Sequence, residues 1–153
     1  MRARHVLPLV AVLCASGFVA GCGGDSDDTT TMSLIEHAET DVIRHIGPAK
    51  EEDSAGDVLA FANPVFDSAN KKQVGSDNGS CIRTAAGKAF ECIWTLTLDE
   101  GQITVEGPFY DGKDSNLAIT GGTDEFKGAG GQMTLHARDP EETEYDFTYE
   151  IED

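Results

Sequence analysis

Apolar and polar residues alternate along several short stretches of the chain, and this alternation is the main structural signal in the sequence. It is clearest over residues 145–152, where every second residue is large and apolar, and it recurs over residues 94–98 and 103–106. A two-residue period places successive side chains on opposite faces of a β-strand. The pattern therefore predicts half-buried strands in these three stretches.

Two further stretches extend this pattern toward both ends of the chain. Residues 117–136 hold two alternating runs around a glycine-rich turn, which predicts a β-hairpin with a long connection. Residues 32–46 show no cap signal followed by a clear apolar stripe, and Val42, Ile43 and Ile46 are β-branched. We predict a long or broken first strand there.

Prolines and polar segments mark the predicted strand ends. Residues 57–63 read as a strand stopped by Asn63-Pro64, and Gly107-Pro108 closes another, because proline cannot donate to a ladder. Residues 47–56 and 70–79 read as polar connections. The count is about eight strands without a confident helix, typical of an all-β sandwich or barrel. Eight antiparallel strands can close into a barrel that holds a packed core or one small ligand.

Residues 80–98 predict a hairpin that brings two cysteines together. If Thr84 lies opposite Ala89, the same antiparallel register places Cys81 opposite Cys92. Directly opposed residues lie within the range of a disulfide. We expect this bond, and two free buried thiols are the alternative.

The N-terminus resembles a bacterial lipoprotein leader. Residues 1–21 combine a basic start with an apolar run too short for a comfortable membrane span, and Val-Ala-Gly precedes Cys22. In lipoproteins, cleavage before this cysteine leaves it diacylated; an ordinary signal peptide with a chance cysteine is the alternative. We predict a lipid-anchored tether over 22–31, one domain over 32–153, and a location on the extracytoplasmic face of the cell membrane.

The charge of the chain excludes some partners. The formal net charge is −17 at pH 7, and it becomes −19 without Arg2 and Arg4 of the leader. Nucleic acids and anionic lipid surfaces bind basic patches, so neither is expected, and membrane contact is predicted through the lipid anchor only. His37, His45 and His136 show no metal-ligand spacing. We predict no metal and no cofactor.

Several motifs resemble plant allene oxide cyclases and, more distantly, dirigent proteins. They are residues 56–63, residues 71–75 with Cys81, and residues 103–135, which include Glu-Gly-Pro-Phe and Ile-Thr-Gly-Gly. The resemblance covers most of the mature chain and implies an eight-stranded antiparallel β-barrel. It also implies conversion of an unstable fatty-acid allene epoxide to a cyclopentenone inside an apolar cavity.

The resemblance implies roles for particular residues. Asn63 matches a water-binding asparagine, with a turn residue before proline as the alternative. Glu36 matches a buried glutamate that polarises substrate, with an exposed glutamate as the alternative. Cys81 matches a cavity cysteine, which is a structural staple if it is bonded to Cys92. Phe109 stands where the family has a tyrosine, so that hydroxyl is missing. The expected cavity wall contains Phe61, Trp94 and Phe109.

Two functions follow as hypotheses. The first is an isomerase or cyclase that acts on an apolar small molecule in the barrel, with Asn63 and Glu36 as catalytic residues. The second is a non-enzymatic, dirigent-like lipoprotein that binds an apolar ligand or a partner. Both are compatible with a homo-oligomer.

Overall fold

A computed structural model describes residues 29–47 and 52–152. They form nine β-strands and one short 3-10 turn at Asp124–Phe126. No helix in these two ranges is long and apolar enough to cross a membrane. The strands are β1 (Thr29–His37), β2 (Val42–Arg44), β3 (Val58–Asp67), β4 (Gln73–Ala85), β5 (Ala89–Leu98), β6 (Gly101–Tyr110), β7 (Ser115–Gly122), β8 (Gly130–Ala137) and β9 (Glu144–Glu152).

All neighbouring strands are antiparallel, and eight of them close into a barrel. The sheet runs β1-β9-β8-β7-β6-β5-β4-β3, and β3 pairs back with β1, while the short β2 pairs only with β3. The predicted eight-stranded antiparallel barrel is therefore confirmed. The glycine-rich hairpin is β7 and β8, with the 3-10 turn in its long connection.

The first strand is broken, as the sequence predicted. β1 pairs with β3 up to Glu36 opposite Val65, and β2 resumes with Val42 opposite Ala60. β1 begins at Thr29, so the last three residues of the predicted tether belong to the barrel. The rest of the tether, the leader and Cys22 lie outside the described residues.

The alternating pattern directs apolar side chains into the barrel. β9 contributes three aromatic side chains at successive inward positions, β5 contributes Phe90 and Trp94, and β6 to β8 contribute mainly aliphatic side chains. Burial of this surface is the main stabilising contribution to the fold, at about 25 cal/mol per Å². The largest fully buried side chains are Tyr149, Phe147, Leu96, Ile103, Leu117 and Met133.

Two prolines do not end strands where the sequence predicted. β3 continues through Pro64 to Asp67, and β6 continues through Pro108 to Tyr110. Pro64 lies between the β1 and β2 ladders, and the Ala62 N–H two residues earlier points to that gap, since it donates to the Thr40 hydroxyl. Pro108 lies beyond the end of the β6–β7 ladder at Glu106. Each proline thus occupies a position where no ladder partner needs its N–H.

The predicted polar connection over 70–79 is also wrong, because β4 begins at Gln73. Its inward positions in this part are Gly75, Asp77 and Gly79, which alternate with outward polar residues. No apolar alternation marks the strand, since its inner face carries a buried carboxyl and two glycines. The strand could have been found by counting back in steps of two from Cys81.

The hairpin of β4 and β5 carries the predicted disulfide. Cys81 lies opposite Cys92 with a Cα–Cα distance of 4.0 Å, and the two sulfurs are bonded. The predicted pairing of Thr84 with Ala89 is wrong, because a bulge shifts the register and Ala85 takes that place. The bulge lies beyond the cysteines, so their opposition is unaffected.

The buried Asp57 binds residues on both sides of the connection between β2 and β3, at the same end of the barrel as the turn between β4 and β5. Asp57 accepts hydrogen bonds from the Ile46 N–H, from His45 Nδ1 at 2.7 Å, and from the Ser54 N–H and hydroxyl. Burial alone would raise the pKa of Asp57, but these donors outweigh it and hold the pKa below its usual range. Because His45 and Ser54 both bind Asp57, we assign this group a structural role in fixing the loop.

Replacing both Cys81 and Cys92 by alanine should lower the free energy of unfolding. The bond closes a loop of 11 residues in sequence separation, for which the chain-entropy model gives about 2–3 kcal/mol. Urea unfolding of the wild-type and double-variant proteins measures the difference. A reducing agent should destabilise the wild type alone, and equal sensitivity of both proteins would contradict the prediction.

Candidate functional site

Asn63 bridges the gap in the barrel wall between β1 and β2. Its carboxamide oxygen accepts from the Thr40 N–H and hydroxyl, both at 2.9 Å. Its amide nitrogen donates to Glu36 Oε1 and to Asp41 Oδ1, the latter at 2.7 Å. The Thr40 N–H can only donate, so the oxygen of Asn63 must face Thr40 and its nitrogen must face the two carboxylates. Asn63 is thus a strand residue with 1% exposure, and the alternative of a turn residue is excluded.

Glu36 points into the barrel from β1 and is only 4% exposed, which excludes the alternative of a solvent-exposed glutamate. Burial is the main cause of a pKa raised well above the usual value, and the charge of Asp77 adds to it. The hydrogen bond from Asn63 opposes this rise, while the charge of Asp41 adds to it. The Glu36 carboxyl is therefore biased toward its protonated form, in which it can donate a hydrogen bond.

Asp77 lies opposite Asn63 on β4 and has no exposed surface. Neither of its carboxyl oxygens makes a hydrogen bond within the described residues. Burial is the main cause that raises the pKa of Asp77 to about 7, and the charge of Asp41 adds to it. The nearby backbone N–H groups of Asn63 and Asp77 oppose it only in part. Asp77 is therefore a buried acid that titrates near neutral pH.

Two more polar atoms beside Asp77 lack partners. The Trp94 indole N–H and the Tyr149 hydroxyl are buried and make no hydrogen bond in the part of the chain that the structure describes. Burial raises the pKa of Tyr149, and the charge of Asp77 adds to it, whereas the nearby Trp94 N–H opposes the rise. Unpartnered buried groups are rare in folded proteins and cost about 1–3 kcal/mol each. Their grouping around one carboxyl marks a functional part of the interior.

A cavity opens above this group, toward the exposed Asp41 at the end of the barrel. Its volume is about 30 Å³, room for about two water molecules, whereas pockets for drug-sized ligands hold roughly 300–1,000 Å³. Glu36 and the Cys81–Cys92 disulfide line it. A ligand larger than water must therefore move side chains, and Phe61 and Phe109 are the half-buried ones at hand. The aromatic wall consists of Phe61, Trp94, Phe109, Tyr145 and Phe147.

A glycine allows this aromatic wall to pack. A Cβ atom at Gly79 would lie 2.7 Å from Phe61 Cζ and closer still to Trp94 Cβ. Phe61 and Trp94 meet edge to face with ring centroids 5.9 Å apart, and Trp94 stacks on Phe147 at 5.8 Å. Such pairs contribute about 0.5–1.5 kcal/mol beyond their buried area.

A phenol hydroxyl, that of Tyr145, is present near Phe109, the residue that stands where the resemblance implies a tyrosine. Tyr145 of β9 is the direct neighbour of Glu36 in the ladder, and its ring meets that of Phe109 edge to face at 6.0 Å. Burial raises the pKa of Tyr145, and the charges of Glu142 and Glu36 add to it. The phenol therefore stays protonated and can donate within the cavity.

The structure brings together the two residues predicted to be catalytic, and Phe61, Trp94 and Phe109 lie in the cavity wall. The catalytic roles of Asn63 and Glu36 stay predictions. Sequence reasoning missed Asp77, Asp41 and Tyr145. Asp77 could have been found, because it is an even number of residues from the inward-facing Cys81 on the same strand. Asp41 lies in the break between β1 and β2, where the two-residue period of a strand gives no guidance. Cys81 is a bonded staple in the cavity wall, so it carries no free thiol.

A closed antiparallel barrel with a polar and aromatic interior defines the class of small barrels that enclose a reaction or ligand site. The chain belongs to the allene oxide cyclase family, whose model matches residues 31–147. It is 27% identical to a pyocyanin demethylase, covering 77% of this chain and 98% of that one, with a TM-score of 0.65.

Two more distant structures share the fold. A pterocarpan synthase dirigent protein is 17% identical over 82% of this chain and 94% of its own, with a TM-score of 0.66. A Diels Alderase from Streptomyces koyangensis is 16% identical over 85% and 70%, with a TM-score of 0.63.

Asp77→Asn should stabilise the protein at high pH and leave it nearly unchanged at low pH. The pKa of Asp77 is about 7 in the folded state and near 4 in the unfolded state. The contribution of Asp77 to the free energy of unfolding is therefore complete below about pH 4, where the carboxyl is protonated in both states, and it is lost as the pH rises toward 7. The variant avoids this loss, and we expect a gain of about 2–4 kcal/mol at pH 8. Urea unfolding of both proteins at pH 4 and pH 8 measures it. Asp57 is common to both proteins and cancels. Glu36 acts in the same direction as Asp77, because the Asp77 charge that helps to raise the pKa of Glu36 is absent from the variant. A stability difference that is the same at both pH values would refute the raised pKa.

Proposed function

We propose that the barrel is an isomerase of the cyclase type that acts on a small, largely apolar molecule in its cavity. The observation that carries the proposal is the buried Glu36 carboxyl, held by Asn63 in the wall of an aromatic cavity. A carboxyl with a raised pKa can donate a hydrogen bond to a substrate oxygen at neutral pH. The membership of the chain in the allene oxide cyclase family supports a reaction of this type.

The site can assist ring closure in three ways. The aromatic wall holds a flexible chain in a folded conformation, which brings the carbons that bond into contact. Glu36 and Tyr145 donate to the epoxide oxygen as its C–O bond breaks and the electron pair moves onto oxygen. A C–C bond then forms, and the oxygen remains in the product as a ketone. Atoms and electrons balance without a cofactor, because substrate and product are isomers.

The size of the cavity limits how a substrate can bind. The pyocyanin demethylase, at 27% identity, acts on pyocyanin according to its name. In the present chain a molecule larger than water fits only after Phe61 and Phe109 move, since the closed cavity holds about 30 Å³. Binding by induced fit is therefore part of the proposal.

Glu36→Gln should slow the cyclisation of an uncharged allene oxide, generated in place from the methyl ester of a fatty-acid hydroperoxide. Uncatalysed closure gives a racemic product, so chiral chromatography measures the enzymatic part as enantiomeric excess. Glutamine keeps the shape and the bond from Asn63 but removes the carboxyl proton, and we expect a rate loss of about 100-fold. Asn63→Ala is less informative, because it also unlinks β3 from Thr40 and Asp41.

Glu91→Gln serves as the matched control, since Glu91 is exposed and points outward from β5. It makes the same change of side chain without touching the cavity, and the rate should not change. A racemic product with the wild-type protein would refute cyclisation of this substrate. Equal enantiomeric excess from wild type and Glu36→Gln would remove Glu36 from the mechanism.

The second candidate is a non-enzymatic barrel that binds an apolar ligand or a partner. It is favoured by the disulfide, which removes the Cys81 thiol, and by Phe109, which lacks the family hydroxyl. Liquid chromatography coupled to mass spectrometry, applied to ligands extracted from the natively purified protein, separates the two, because isomers of equal mass differ in retention time. A co-purifying molecule that the protein leaves unchanged supports the binder. A molecule converted to an isomer of equal mass supports the enzyme.

We also propose that the mature chain begins at Cys22 and is lipid-anchored at the extracytoplasmic face of the membrane. The leader pattern and the lipoprotein-like box support this, and so does the disulfide, since such bonds persist mainly outside the cytoplasm.

Cys22→Ser should move the protein from the membrane fraction to the soluble fraction. Intact-mass measurement should show the loss of the acyl groups, because their attachment needs the thiol. Cys14→Ser is the control, since Cys14 lies within the predicted leader and outside the box. Equal membrane retention of the two variants would contradict the anchor.

A further inference from the structure

The cavity has acids at its polar end and no base to match them. Glu36 and Asp41 line it, and the described lining residues include no lysine, arginine or histidine. Asp77 does not line the cavity itself, but it is the ladder neighbour of Asn63, which binds Glu36, and it has no hydrogen-bond partner among the described residues. The remaining wall is mostly aromatic. Rings and carboxylates both attract positive charge, and they do so most strongly where water is excluded.

We infer that the barrel takes a planar organic cation, with its rings against the aromatic wall and its positive charge directed toward Glu36 and Asp77. The inference rests on the proposed function of the cavity as a small-molecule site, and it names the class of molecule preferred there. A neutral ligand would leave the Asp77 carboxyl unpartnered. An anionic ligand would meet the acids of the cavity and a protein with a net charge of −17.

The groups around Asp77 leave its charge uncompensated. β1 presents Glu36, the strand break presents Asp41, and β9 presents Tyr149, all of which are acidic or neutral. β3 contributes Asn63, and β5 contributes the indole of Trp94. The backbone N–H groups of Asn63 and Asp77 favour the ionised carboxylate only in part, and none of these neighbours carries a positive charge. Among the described groups around Asp77, a bound cation would therefore be the first counter-charge.

The nearest buried cation on the same strand is already engaged. Arg83 has its Nη1 2.7 Å from both carboxyl oxygens of Asp111, and its Nε lies 2.8 Å from Asp53. Its guanidinium stacks over Phe90 with 3.6 Å to the ring centroid. This contact shows a cation held between an aromatic ring and carboxylates at the same end of the barrel, in the arrangement inferred for the ligand.

A metal ion fits the site less well than an organic cation. Nowhere in residues 29–47 and 52–152 do three histidine, cysteine, aspartate or glutamate side chains converge as metal ligands. An organic cation with delocalised charge is weakly hydrated and leaves water at low cost. Aromatic walls replace that hydration better than they replace the shell of a small ion.

Proton release accompanies the binding of such a ligand. Asp77 with a pKa of about 7 is mostly protonated at pH 5.5, so a cation must displace its proton. The affinity for a permanent cation should therefore rise about 30-fold between pH 5.5 and pH 8.5. A neutral molecule displaces no proton, and its affinity should stay flat or fall.

Three probes of nearly equal shape test the inference: N-methylquinolinium, neutral 1-methylnaphthalene and anionic 1-naphthoate. Isothermal titration calorimetry gives their affinities at pH 5.5 and pH 8.5. Trp94 is the only tryptophan in the sequence and lines the cavity, so its fluorescence reports whether the probes bind there. We expect the cation to bind most tightly at pH 8.5 and the anion least.

Asp77→Asn should weaken binding of the cation at pH 8.5 by at least tenfold and reduce its pH dependence to the part that Glu36 contributes, while the neutral probe is unaffected. Glu91→Gln changes the net charge equally from outside the barrel and should behave as wild type. Circular dichroism checks the fold of both variants. Should Asp77→Asn not fold, the pH dependence of the wild type with cationic and neutral probes decides alone.

The outcomes separate the two proposals. Tighter binding of the neutral probe than of the cation at pH 8.5 overturns the inference and leaves the proposed function standing. Cation binding that Asp77→Asn does not change overturns it as well. If no probe alters Trp94 fluorescence or releases heat, the inference fails, and the enantiomeric excess of the cyclisation assay decides the proposed function separately.

Discussion

The barrel depends on the pairing of β1 with β3, because this ladder alone closes the sheet. The pairing with β3 is interrupted between the end of β1 and the start of β2. The Asn63 side chain bridges this gap with hydrogen bonds to Thr40, Asp41 and Glu36. A carboxamide suits this place because it donates and accepts at once. The same hydrogen bonds fix the position of the Glu36 carboxyl in the cavity. Closure of the fold and construction of the site thus rest on one side chain.

The buried acids lower stability at neutral pH. Glu36 and Asp77 both have raised pKa values, chiefly because burial disfavours their charged forms. Asp77 also lacks a hydrogen-bond partner among the described residues. Groups that lower stability without a packing role are concentrated at functional sites. The disulfide in the same region offsets part of this loss by restricting the unfolded chain.

The chain has the fold of its family, and the resemblance implies differences in the cavity. Phe109 stands where the resemblance implies a tyrosine, and Tyr145 presents a phenol from another strand beside the same ring. Cys81 matches a cysteine of the family pattern by the same resemblance, and its bond to Cys92 removes its reactivity as a thiol. The charged groups that line the cavity are the carboxyl groups of Glu36 and Asp41. These carboxyl groups are the basis for expecting a different ligand charge from that of a fatty-acid substrate.

The pattern of residues was enough to predict the strands with a two-residue period and the opposition of Cys81 and Cys92, whereas it left a sandwich or a barrel open and only the family resemblance implied the barrel. The first two features are local, since alternation and hairpin register follow from neighbouring residues. Tertiary structure decided the extent of β3 and β6 past their prolines, because only the neighbouring ladders show where an N–H is dispensable. It also decided that Glu36, Asn63 and Asp77 meet. They come from three strands, and their burial and pKa values arise from the closed barrel, which no single stretch of sequence encodes.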